Sequence, residues 1–390
     1  MKVLLLAPHP FFQERGTPIA VDLLLRALSA RGDTVDLLTW HLGEDRSYPG
    51  VTIHRIGRIP WIRSVRPGFS AAKLACDFVM TFRALRMAGR TRYDLVHAVE
   101  EAAFMAVLIR AFRRTPFVFD MDSSMPLQIV EKKPGARFLL PLLKRFEAGA
   151  IRRASAVAAV CDSLADLARA AGARRVALLR DVSLLPDGVD PNAATPAFSM
   201  PGTVFLYIGN LERYQGLDLL LESFALARGD RQDLSLAVAG GTPADIETYS
   251  QKAASLALGE SVRFLGPRPL SDMASLFAAA HVLVSPRISG NNTPMKIYSY
   301  LDSGKPVLAT DLPTHTQVLT AETALLAPPE PAAFSRAMLR LADDAELRRS
   351  LGAKGRALAQ SAYSRPAFTK AVQDLYAGLE AEIKAPGRAR

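Results

Sequence analysis

One stretch of the chain, residues 285–307, reads SPRISGNNTPMKIYSYLDSGKPV and contains the pattern of a strand, a loop, a helix and a second strand. An apolar run ends at Ser285, a polar loop follows, and Pro294 begins a helix that ends before Pro306 opens the next apolar run. Short apolar strands that alternate with helices are typical of βαβ units around a parallel sheet. This stretch therefore predicts an α/β fold.

The same alternation extends outward through the chain in two series. Residues 186–202 are rich in Pro, Gly and small polar residues, which indicates a linker. Apolar runs before the linker predict strands at residues 2–7, 35–40, 51–56, 94–99, 117–120, 156–160 and 176–179. Runs after it predict strands at residues 203–208, 234–239, 262–265, 282–285 and 306–310. We expect two doubly wound domains that bind ligands at the carboxyl ends of their sheets.

Length and composition exclude several classes of protein. The chain has 390 residues, 49% hydrophobic and 22% charged, which suits two globular cores and neither a disordered nor a fibrous protein. Two cysteines make no disulfide framework, and no Cys/His cluster has the spacing of a zinc site. The apolar run at the N-terminus is too short for a signal peptide core, and no run approaches about 18 apolar residues. We expect a cytoplasmic protein without a transmembrane helix.

The formal charge of +10 is concentrated in the first half of the chain. Residues 51–92 contain nine Lys and Arg residues against the single acid Asp77, and residues 131–153 contain a further basic excess. Apolar residues between Trp61 and Leu85 interleave with these arginines. Basic and apolar side chains together suit an anionic bilayer, so residues 51–92 predict contact with the inner face of the plasma membrane. The alternative is that the apolar residues form a core stripe and the arginines a solvated face.

Two cations follow strands of the second series. Arg213 could clamp a pyrophosphate through paired hydrogen bonds. Lys296 lies in the first turn of a helix, where a cation opposes the helix dipole unless an anion binds beside it. A solvated lysine is the alternative interpretation. The loop before this helix adds polar candidates, which are Arg287, Asn291, Asn292 and Thr293.

Glycine turns between strands and helices offer further candidate sites. Gly16 and Thr17 precede the first helix, where free N–H groups could bind an anion or Thr17 could simply cap the helix. Gly240 and Gly241 form a second such turn, and by spacing alone a bare turn is the simpler interpretation.

Polar residues also follow two strands of the first series. His97 lies within the pattern of one strand, and Asp122 follows the next. Both are candidates for acid–base chemistry at the carboxyl edge of the sheet. His97 could instead be a hydrogen-bonded core histidine.

Over most of its length the chain resembles the GT-B glycosyltransferases, specifically the retaining family 4. The resemblance is carried by the N-terminal strand and glycine loop, LPDGVD at 185–190, YIGN at 207–210, VAGG at 238–241, RFLG at 263–266 and the stretch from Lys296 to Pro306. It implies two Rossmann-like domains facing a cleft, with acceptor binding by residues 1–185 and donor binding by residues 186–365. It also implies a C-terminal helix in residues 366–390 that crosses back to the first domain.

The resemblance implies a nucleotide diphosphate sugar as co-substrate, with UDP-sugar as the default, and no other cofactor. No metal is indicated, because no Asp-x-Asp pair lies in a plausible donor loop; Asp120 and Asp122 have that spacing but lie in the first domain. Family members usually carry two glutamates, which Asn291 and Ser299 replace here, and an Arg and a Lys, which Asn210 and Gln215 replace. The leaving diphosphate would then contact Arg213 and Lys296, with N–H groups of a helix starting at Thr293. The further catalytic candidates are Asn291, His97 and Asp122. The implied donor-binding residues are Gly16, Thr17, Asn210, Gln215, Gly240, Gly241, Leu265, Arg287, Asn292, Thr293 and Ser299.

Three functions remain open from the sequence. The first is a retaining glycosyltransferase that moves a sugar to a lipid, lipid-linked or glycan acceptor at the cytoplasmic membrane face. The second is a non-catalytic relative that binds nucleotide sugar or glycan as a partner or scaffold protein, which the missing glutamates favour. A nucleotide-sugar epimerase on the same fold is the third. Nucleic acid is excluded as a partner, because the resemblance supplies no binding module and only 7% of the residues are aromatic.

Overall fold

The computed structural model describes residues 1–14, 16–65, 70–132, 134–186, 188–290 and 292–385. The chain divides into two compact units, each with its own parallel sheet. The first unit comprises Met1–Arg180 together with the chain from Phe368 onward, and the second comprises Asp181–Ala367. The prediction of an α/β fold with two doubly wound sheets is confirmed.

The first unit is built on a seven-stranded parallel sheet. Its strands are β1 (Lys2–Ala7), β2 (Thr34–Thr39), β3 (Val51–Arg55), β4 (Leu95–Val99), β5 (Phe117–Met121), β6 (Ala156–Ala159) and β7 (Val176–Leu178). The spatial order is β3-β2-β1-β4-β5-β6-β7, so the direction of winding reverses between β1 and β4. Both central strands are apolar and almost wholly buried, because helices cover both faces of such a sheet.

Within the described residues, seven α-helices belong to this unit in whole or in large part. They are α1 (Gly16–Ala30), α2 (Ala71–Arg90), α3 (Ala102–Arg113), α4 (Met125–Lys132), α5 (Leu140–Arg153), α6 (Asp162–Ala170) and α14 (Arg365–Lys384). The inward residues of α2, α3, α5 and α6 share one apolar core with residues of β1, β4, β5 and β6. These four helices therefore form a single layer on one face of the sheet.

The second unit repeats this architecture on six parallel strands. They are β8 (Thr203–Ile208), β9 (Leu234–Ala239), β10 (Val262–Gly266), β11 (Val282–Ser285), β12 (Val307–Thr310) and β13 (Leu325–Ala327), in the order β10-β9-β8-β11-β12-β13. The helices are α7 (Leu217–Asp230), α8 (Pro243–Ser255), α9 (Met273–Ala278), α10 (Lys296–Asp302), α11 (Pro313–Thr316), α12 (Pro331–Asp343) and α13 (Ala345–Ala362). The sequence pattern missed β13, whose three residues are too few to show a period.

The division between the units falls after Arg180, five residues before the predicted boundary at 185. Leu185 is buried in a core cluster of the second unit. The Leu184 amide donates to Ser299 Oγ at 2.9 Å, and the Ser183 amide donates to the Tyr363 carbonyl at 3.3 Å. The predicted linker is also part of the second unit, because the Ala197 amide donates to the Ser275 carbonyl at 2.9 Å.

Helix α14 passes from the second unit into the first, where it is tied down by polar contacts. The Tyr376 hydroxyl bonds to His97 Nδ1 at 2.8 Å, and both side chains are buried. Arg31 and Arg175 form ion pairs with Glu380 and Glu382 of this helix. None of the described helices combines the length and the apolar composition that crossing a bilayer requires.

Candidate functional site

The loops that follow β8 and β11 meet at the carboxyl edge of the second sheet, where the winding reverses. The two strands are neighbours and parallel, so Gly209 after β8 and the 286–295 loop after β11 emerge side by side. Ligands of doubly wound folds bind at such a switch point. Lys296, the first residue of α10, lies at the end of this loop.

Lys296 holds its ammonium group against aromatic and amide groups. Its Nζ lies 3.9 Å from the centroid of the Tyr207 ring and donates to Gln215 Oε1 at 3.3 Å. A Cβ at position 209 would come within 2.8 Å of this Nζ, so glycine at 209 leaves the room that Lys296 occupies. Burial, together with the Arg287 charge, lowers the pKa of Lys296 well below its ordinary value.

This arrangement is suited to an anion for an electrostatic reason. A buried ammonium that faces only dipoles loses hydration without gaining an opposite charge. A diphosphate beside Lys296 would restore the protonated form and would receive a charge-assisted hydrogen bond. The pocket is therefore chemically suited to a leaving group on which negative charge develops.

Arg287 shapes the loop before α10. Its Nε donates to the Ser289 carbonyl at 2.7 Å, and its two terminal nitrogens donate to the Asn292 carbonyl and Oδ1, both at 3.2 Å. The guanidinium also stacks near the Tyr214 ring, 5.1 Å from its centroid. Gly290 accommodates this group, because a Cβ there would lie 2.2 Å from Nη2. Arg287 and Asn292, both predicted to bind the donor, engage each other in this structure.

A buried set of polar side chains beneath this loop escaped the sequence analysis. Thr310 Oγ1 donates to the Arg287 carbonyl at 2.5 Å, and Thr314 Oγ1 donates to the Asn292 carbonyl at 2.7 Å. His315 bonds to the Thr310 carbonyl through Nδ1 at 3.0 Å and to Ser285 Oγ through Nε2 at 2.8 Å. A carbonyl only accepts, so Nδ1 carries the proton. The only signal in the sequence was a polar run, TDLPTHT at 310–316, directly after an apolar strand.

His315 stays neutral because its surroundings penalise the charged imidazole. Burial is the main cause and lowers its pKa to about 3, with a further contribution from the Arg287 and Lys296 charges. A neutral imidazole can accept at Nε2 and donate at Nδ1 at the same time. His315 is therefore a structural link between β11, β12 and the loop.

Arg213 and Gln215 lie on one short turn, Arg213–Gln215, after β8. Arg213 is exposed, and Gln215 is buried with its amide oxygen toward Lys296. Asn210 is exposed, and its carbonyl accepts from the Tyr207 hydroxyl at 2.6 Å. The structure thus brings Gln215, Lys296 and the Tyr207–Asn210 segment together, with Arg213 on the same turn.

The glycines after β8 and β9 allow their loops to pack closely. A Cβ on Gly240 would lie 2.0 Å from the Gly209 carbonyl oxygen, and one on Gly241 would lie 2.5 Å from Leu211 Cδ1. Both residues have positive φ, of 114° and 84°. Leu265 lies near the end of β10, and its carbonyl accepts from Arg268 Nε at 3.1 Å.

Four expectations about the 291–299 segment need correction or stay open. Ser299 is fully buried and its Oγ accepts from the Leu184 amide, so its hydroxyl is turned into the protein and away from any ribose. Helix α10 begins at Lys296, three residues later than the start expected at Thr293. Thr293 is buried, and its Oγ1 has no hydrogen-bond partner within the described part of the chain. Asn291 lies outside the described residues.

The remaining candidates belong to the first unit. Gly16 begins α1 and is exposed, with open space where a Cβ would point, and Thr17 beside it is half-buried. His97 has no exposed surface, and its Nε2 bonds to Asp120 Oδ2 at 3.1 Å while Nδ1 bonds to Tyr376. The core interpretation of His97 therefore replaces the catalytic one. Asp122, half-buried, follows β5.

Acids lie near the carboxyl edge of the first sheet, where Glu100 and Glu101 follow β4 at positions that the sequence predicts for polar contacts or acid–base groups. Glu100 accepts from Ser123 Oγ at 2.8 Å, and burial, aided by the Glu101 charge, raises its pKa to about 7. Lys73 forms an ion pair with Glu101 at 2.6 Å. The Trp40 indole donates to Asp77 at 3.1 Å, and burial raises the pKa of Asp77 to about 8.

Both halves of the chain match described families. Residues 15–193 match Glycosyltransferase Family 4, and residues 192–358 match Glycosyl transferases group 1. The two matches together span residues 15–358, so the chain combines a Glycosyltransferase Family 4 region with a Glycosyl transferases group 1 region. Its fold resembles that of sucrose-phosphate synthase from Thermosynechococcus elongatus, with a TM-score of 0.79 and 20% identity over 98% of this chain and 99% of that one.

Two further proteins are similar to this chain. HepE from Anabaena, solved with UDP and with UDP-glucose, aligns with TM-scores of 0.73 and 0.70 at 16% identity, over 97% of this chain and 100% of HepE. A D-inositol 3-phosphate glycosyltransferase of Corynebacterium diphtheriae is 30% identical over 158 residues, which are 38% of this chain and 36% of that protein. The match thus spans about a third of the length of this curated relative.

Proposed function

We propose that the protein is a retaining glycosyltransferase that moves a sugar from a nucleotide diphosphate sugar to a lipid, lipid-linked or glycan acceptor. The observation that carries the proposal is the half-buried Lys296, whose ammonium is held between Tyr207 and Gln215 at the switch point of the second sheet. A cation at this position in a region that matches the group 1 glycosyltransferases fits the diphosphate of a donor.

In the proposed reaction, the bond between the sugar and the diphosphate breaks and negative charge collects on the leaving oxygen. Protonated Lys296 stabilises that charge at short range, and Arg213 adds a second cation from the adjacent turn. Gln215 and the Tyr207 ring hold the ammonium in place without neutralising it. The acceptor hydroxyl forms the new bond to the sugar, and its proton passes to the departing diphosphate oxygen.

We propose UDP-sugar as the donor and no resident cofactor or metal. HepE, whose fold this chain shares, has been solved with UDP and UDP-glucose. Sugar contacts would come from Asn291, Asn292 and Thr293 in the polar loop after β11, where Asn291 stands in place of one glutamate that family members usually carry. Gly16 and Thr17 of the first unit are proposed as further donor contacts.

We propose that the acceptor is presented at the cytoplasmic face of a membrane, which the first unit contacts through residues 51–92. Trp61 is 80% exposed and Phe78 is 66% exposed, so neither side chain belongs to the core. The core stripe of α2 consists instead of Cys76, Met80, Ala84 and Ala88. Exposed bases of this segment, including Arg58, Arg63 and Arg86, would face anionic lipid.

A non-catalytic relative that binds nucleotide sugar or glycan as a partner or scaffold protein is the second candidate. Ser299 favours it, because the position at which the family usually has a glutamate carries a hydroxyl that is bonded inside the protein. The retained Lys296 pocket favours the enzyme, since a binding protein gains nothing from stabilising a leaving group.

The experiment that tests the proposal combines ligand binding with turnover. We expect UDP or a UDP-sugar, in a panel with GDP, ADP and TDP, to raise the melting temperature, because a ligand at a hundredfold excess over Kd adds about 2.7 kcal/mol of stability. Lys296→Met should weaken that binding roughly tenfold to a hundredfold, since a charge-assisted hydrogen bond contributes about 1.5–3 kcal/mol. The same substitution should raise the stability of the free protein by removing a buried charge.

Lys354→Met is the matched control, because Lys354 is exposed on α13. It should leave binding and melting unchanged. Nucleotide binding without release of UDP in the presence of lipid and glycan acceptors would support the scaffold protein, and the absence of any nucleotide shift would contradict the donor site itself.

A further inference from the structure

The layer of helices on one face of the first sheet carries large apolar side chains on its outer surface. On α2 these are Leu74, Phe78 and Phe82, which repeat every four residues, and Phe78 packs edge-on against Phe82 with ring centroids 4.8 Å apart. Phe112 near the end of α3 is 74% exposed. Such a concentration of exposed aromatic side chains marks an interaction surface.

Helix α5 and the turn before it repeat this pattern. Phe138, Leu142 and Phe146 also repeat every four residues, and Phe138 is 79% exposed. Helix α2 contacts α3, and α3 contacts α5, so the three helices are neighbours in one layer. Their inward residues share one apolar core, which leaves the outward stripes on the same side of the unit. We call this surface, formed by the outward residues of α2, α3, the 134–139 turn and α5, the aromatic face.

The charges on the aromatic face are basic. Exposed bases lie on all of its elements, and they are Arg86, Arg90, Arg113, Arg137, Lys144 and Arg145. The described residues of α2, α3 and α5 include only two acids, Asp77 and Glu147. Asp77 bonds to Trp40, and Glu147 is buried against Ser124 and the Met125 amide. Both carboxyls therefore point inward, and among the described residues of these three helices the exposed charges are all basic and lie beside exposed apolar side chains.

Burial also reduces the negative charge of these two acids. It raises the pKa of Asp77 to about 8 and that of Glu147 to about 7. Near neutral pH a substantial fraction of both carboxyls is therefore protonated. The field outside the aromatic face is set by its arginines and lysines.

We propose that the whole aromatic face, with α3 and α5 as well as α2, is the surface through which the protein binds an anionic lipid bilayer. The proposal extends the membrane contact that forms part of the proposed function, and it adds elements outside residues 51–92. Aromatic rings enter the boundary between headgroups and acyl chains, and the bases around them contact lipid phosphates. A basic surface without exposed acids fits an anionic bilayer better than a second copy of the same chain, because two such surfaces would repel each other.

The test is flotation of the full chain with vesicles of phosphatidylcholine, with and without phosphatidylglycerol. Three variants are compared, F78S/F82S on α2, F138S/L142S/F146S on α5, and R137S/K144S/R145S around α5. We expect the wild-type protein to float with anionic vesicles at low salt, and each variant to lose at least about tenfold in vesicle affinity, since each removes several apolar or charged contacts. Leu226→Ser, at an exposed leucine on α7 of the second unit, should change nothing.

Three results would contradict the inference. If both α5 variants bind like the wild type while F78S/F82S does not, the inference is wrong and the contact is confined to residues 51–92. If no variant loses binding, no part of the aromatic face is the membrane surface. Conversion of a lipid-free dimer to a monomer by F138S/L142S/F146S, seen by sedimentation velocity, would assign the face to self-association and overturn the inference.

Two measurements keep this test separate from folding and from the proposed function. Each substituted residue is exposed, so the melting temperature of the variants should match that of the wild type. The shift in melting temperature on adding UDP should also be unchanged, because it reports on the second unit. A lost UDP shift in the wild-type protein would count against the proposed function and leave the vesicle result standing.

Discussion

At the scale of single residues, the second unit depends on cations and hydroxyls that are held away from water. Lys296 faces the Tyr207 ring and the Gln215 amide, and Arg287 faces carbonyls of its own loop. Neither the Arg287 guanidinium nor the Lys296 ammonium is therefore fully exposed to solvent. Contacts within the protein thus hold the described residues of the loop after β11 in place, which reduces the entropy that ordering them on binding would cost.

The first prediction concerns the pH dependence of nucleotide binding. The pKa of Lys296 in the free protein lies well below its ordinary value, and a bound diphosphate raises it. Between those two pKa values, binding takes up a proton, so affinity should fall as pH rises, by at most tenfold per pH unit. We expect this fall in a titration by calorimetry above about pH 7.5, where a terminal phosphate with a pKa of about 6 is already ionised.

Proton uptake can be measured directly by repeating the titration in buffers of different ionisation enthalpy. The Lys296→Met variant should show weak binding with no uptake at this position. Equal affinity of the wild-type protein across that range, with no proton uptake, would mean that Lys296 is already charged before the ligand binds.

The stability of the free protein should change with pH in the opposite direction to its affinity for nucleotide. Below the ordinary lysine pKa, the unfolded chain binds a proton at Lys296 that the folded chain, above its lowered pKa, does not. The free energy of unfolding therefore rises with pH across that window. This contribution is absent when Lys296 is replaced by methionine.

At the scale of elements, α14 is joined to the first unit by one buried polar contact among apolar ones. Val372, Leu375 and Leu379 are buried on the same side of the helix as Tyr376. Asp120 only accepts, so His97 Nε2 carries the proton, and His97 Nδ1 accepts from the Tyr376 hydroxyl. The Tyr376 hydroxyl of α14 thus supplies the second hydrogen bond of the His97 ring in β4.

We predict that Tyr376→Phe lowers the free energy of unfolding by about 1–3 kcal/mol, because it leaves His97 Nδ1 buried without a partner. Urea unfolding followed by circular dichroism measures the change. Gln373→Ala, at an exposed position of the same helix, should stay within about 0.5 kcal/mol of the wild type. An unchanged urea midpoint for Tyr376→Phe would show that water replaces the lost hydroxyl.

Helix α2 shows how far sequence patterns decide the orientation of an element. Its apolar residues fall on two faces, and the small side chains of Cys76, Ala84 and Ala88 face the core while Phe78 and Phe82 face outward. Hydrophobicity alone would bury the phenylalanines. Close approach of α2 to the sheet favours small residues at the contact, which only the packed structure reveals.

At the scale of the whole molecule, each unit has its own sheet and its own apolar core. Cores of this kind can melt as separate cooperative units. The cations proposed to bind the diphosphate, Lys296 and Arg213, lie within the second unit, and the contacts of α14 from Phe368 onward lie within the first. Ligands and substitutions should therefore act on different transitions.

We predict two transitions in differential scanning calorimetry, with UDP raising only the one that belongs to residues 181–367, because a ligand stabilises the unit that binds it. Tyr376→Phe identifies the other transition, because it should lower the midpoint temperature of the unit that contains His97. A single transition that responds to both changes would show that the two units unfold together, and the assignment of independent stability would then be wrong.

Much of the fold was predictable because strands and helices leave local signals. Most of the strands were recognised within one residue at each end, since buried parallel strands are apolar runs bounded by turns. The glycines at 209, 240 and 241 were also visible at strand ends. Lys296 stood out because a cation in the first turn of a helix contradicts the helix dipole.

Other features depended on contacts between residues far apart in the chain. Ser299 is turned inward by Leu184, 115 residues away, and His97 is buried by Tyr376, 279 residues away. Local sequence patterns also failed to predict the hydrogen bonds by which His315 links β11, β12 and the loop, and the division between the units after Arg180. The sequence by itself determined the α/β class, the two series of strands and the position of the candidate donor loop, because each depends on a pattern of residues that are adjacent in the chain. Only the tertiary structure decided which polar and aromatic side chains face a ligand, the core or solvent, because burial is set by partners that folding brings from distant positions.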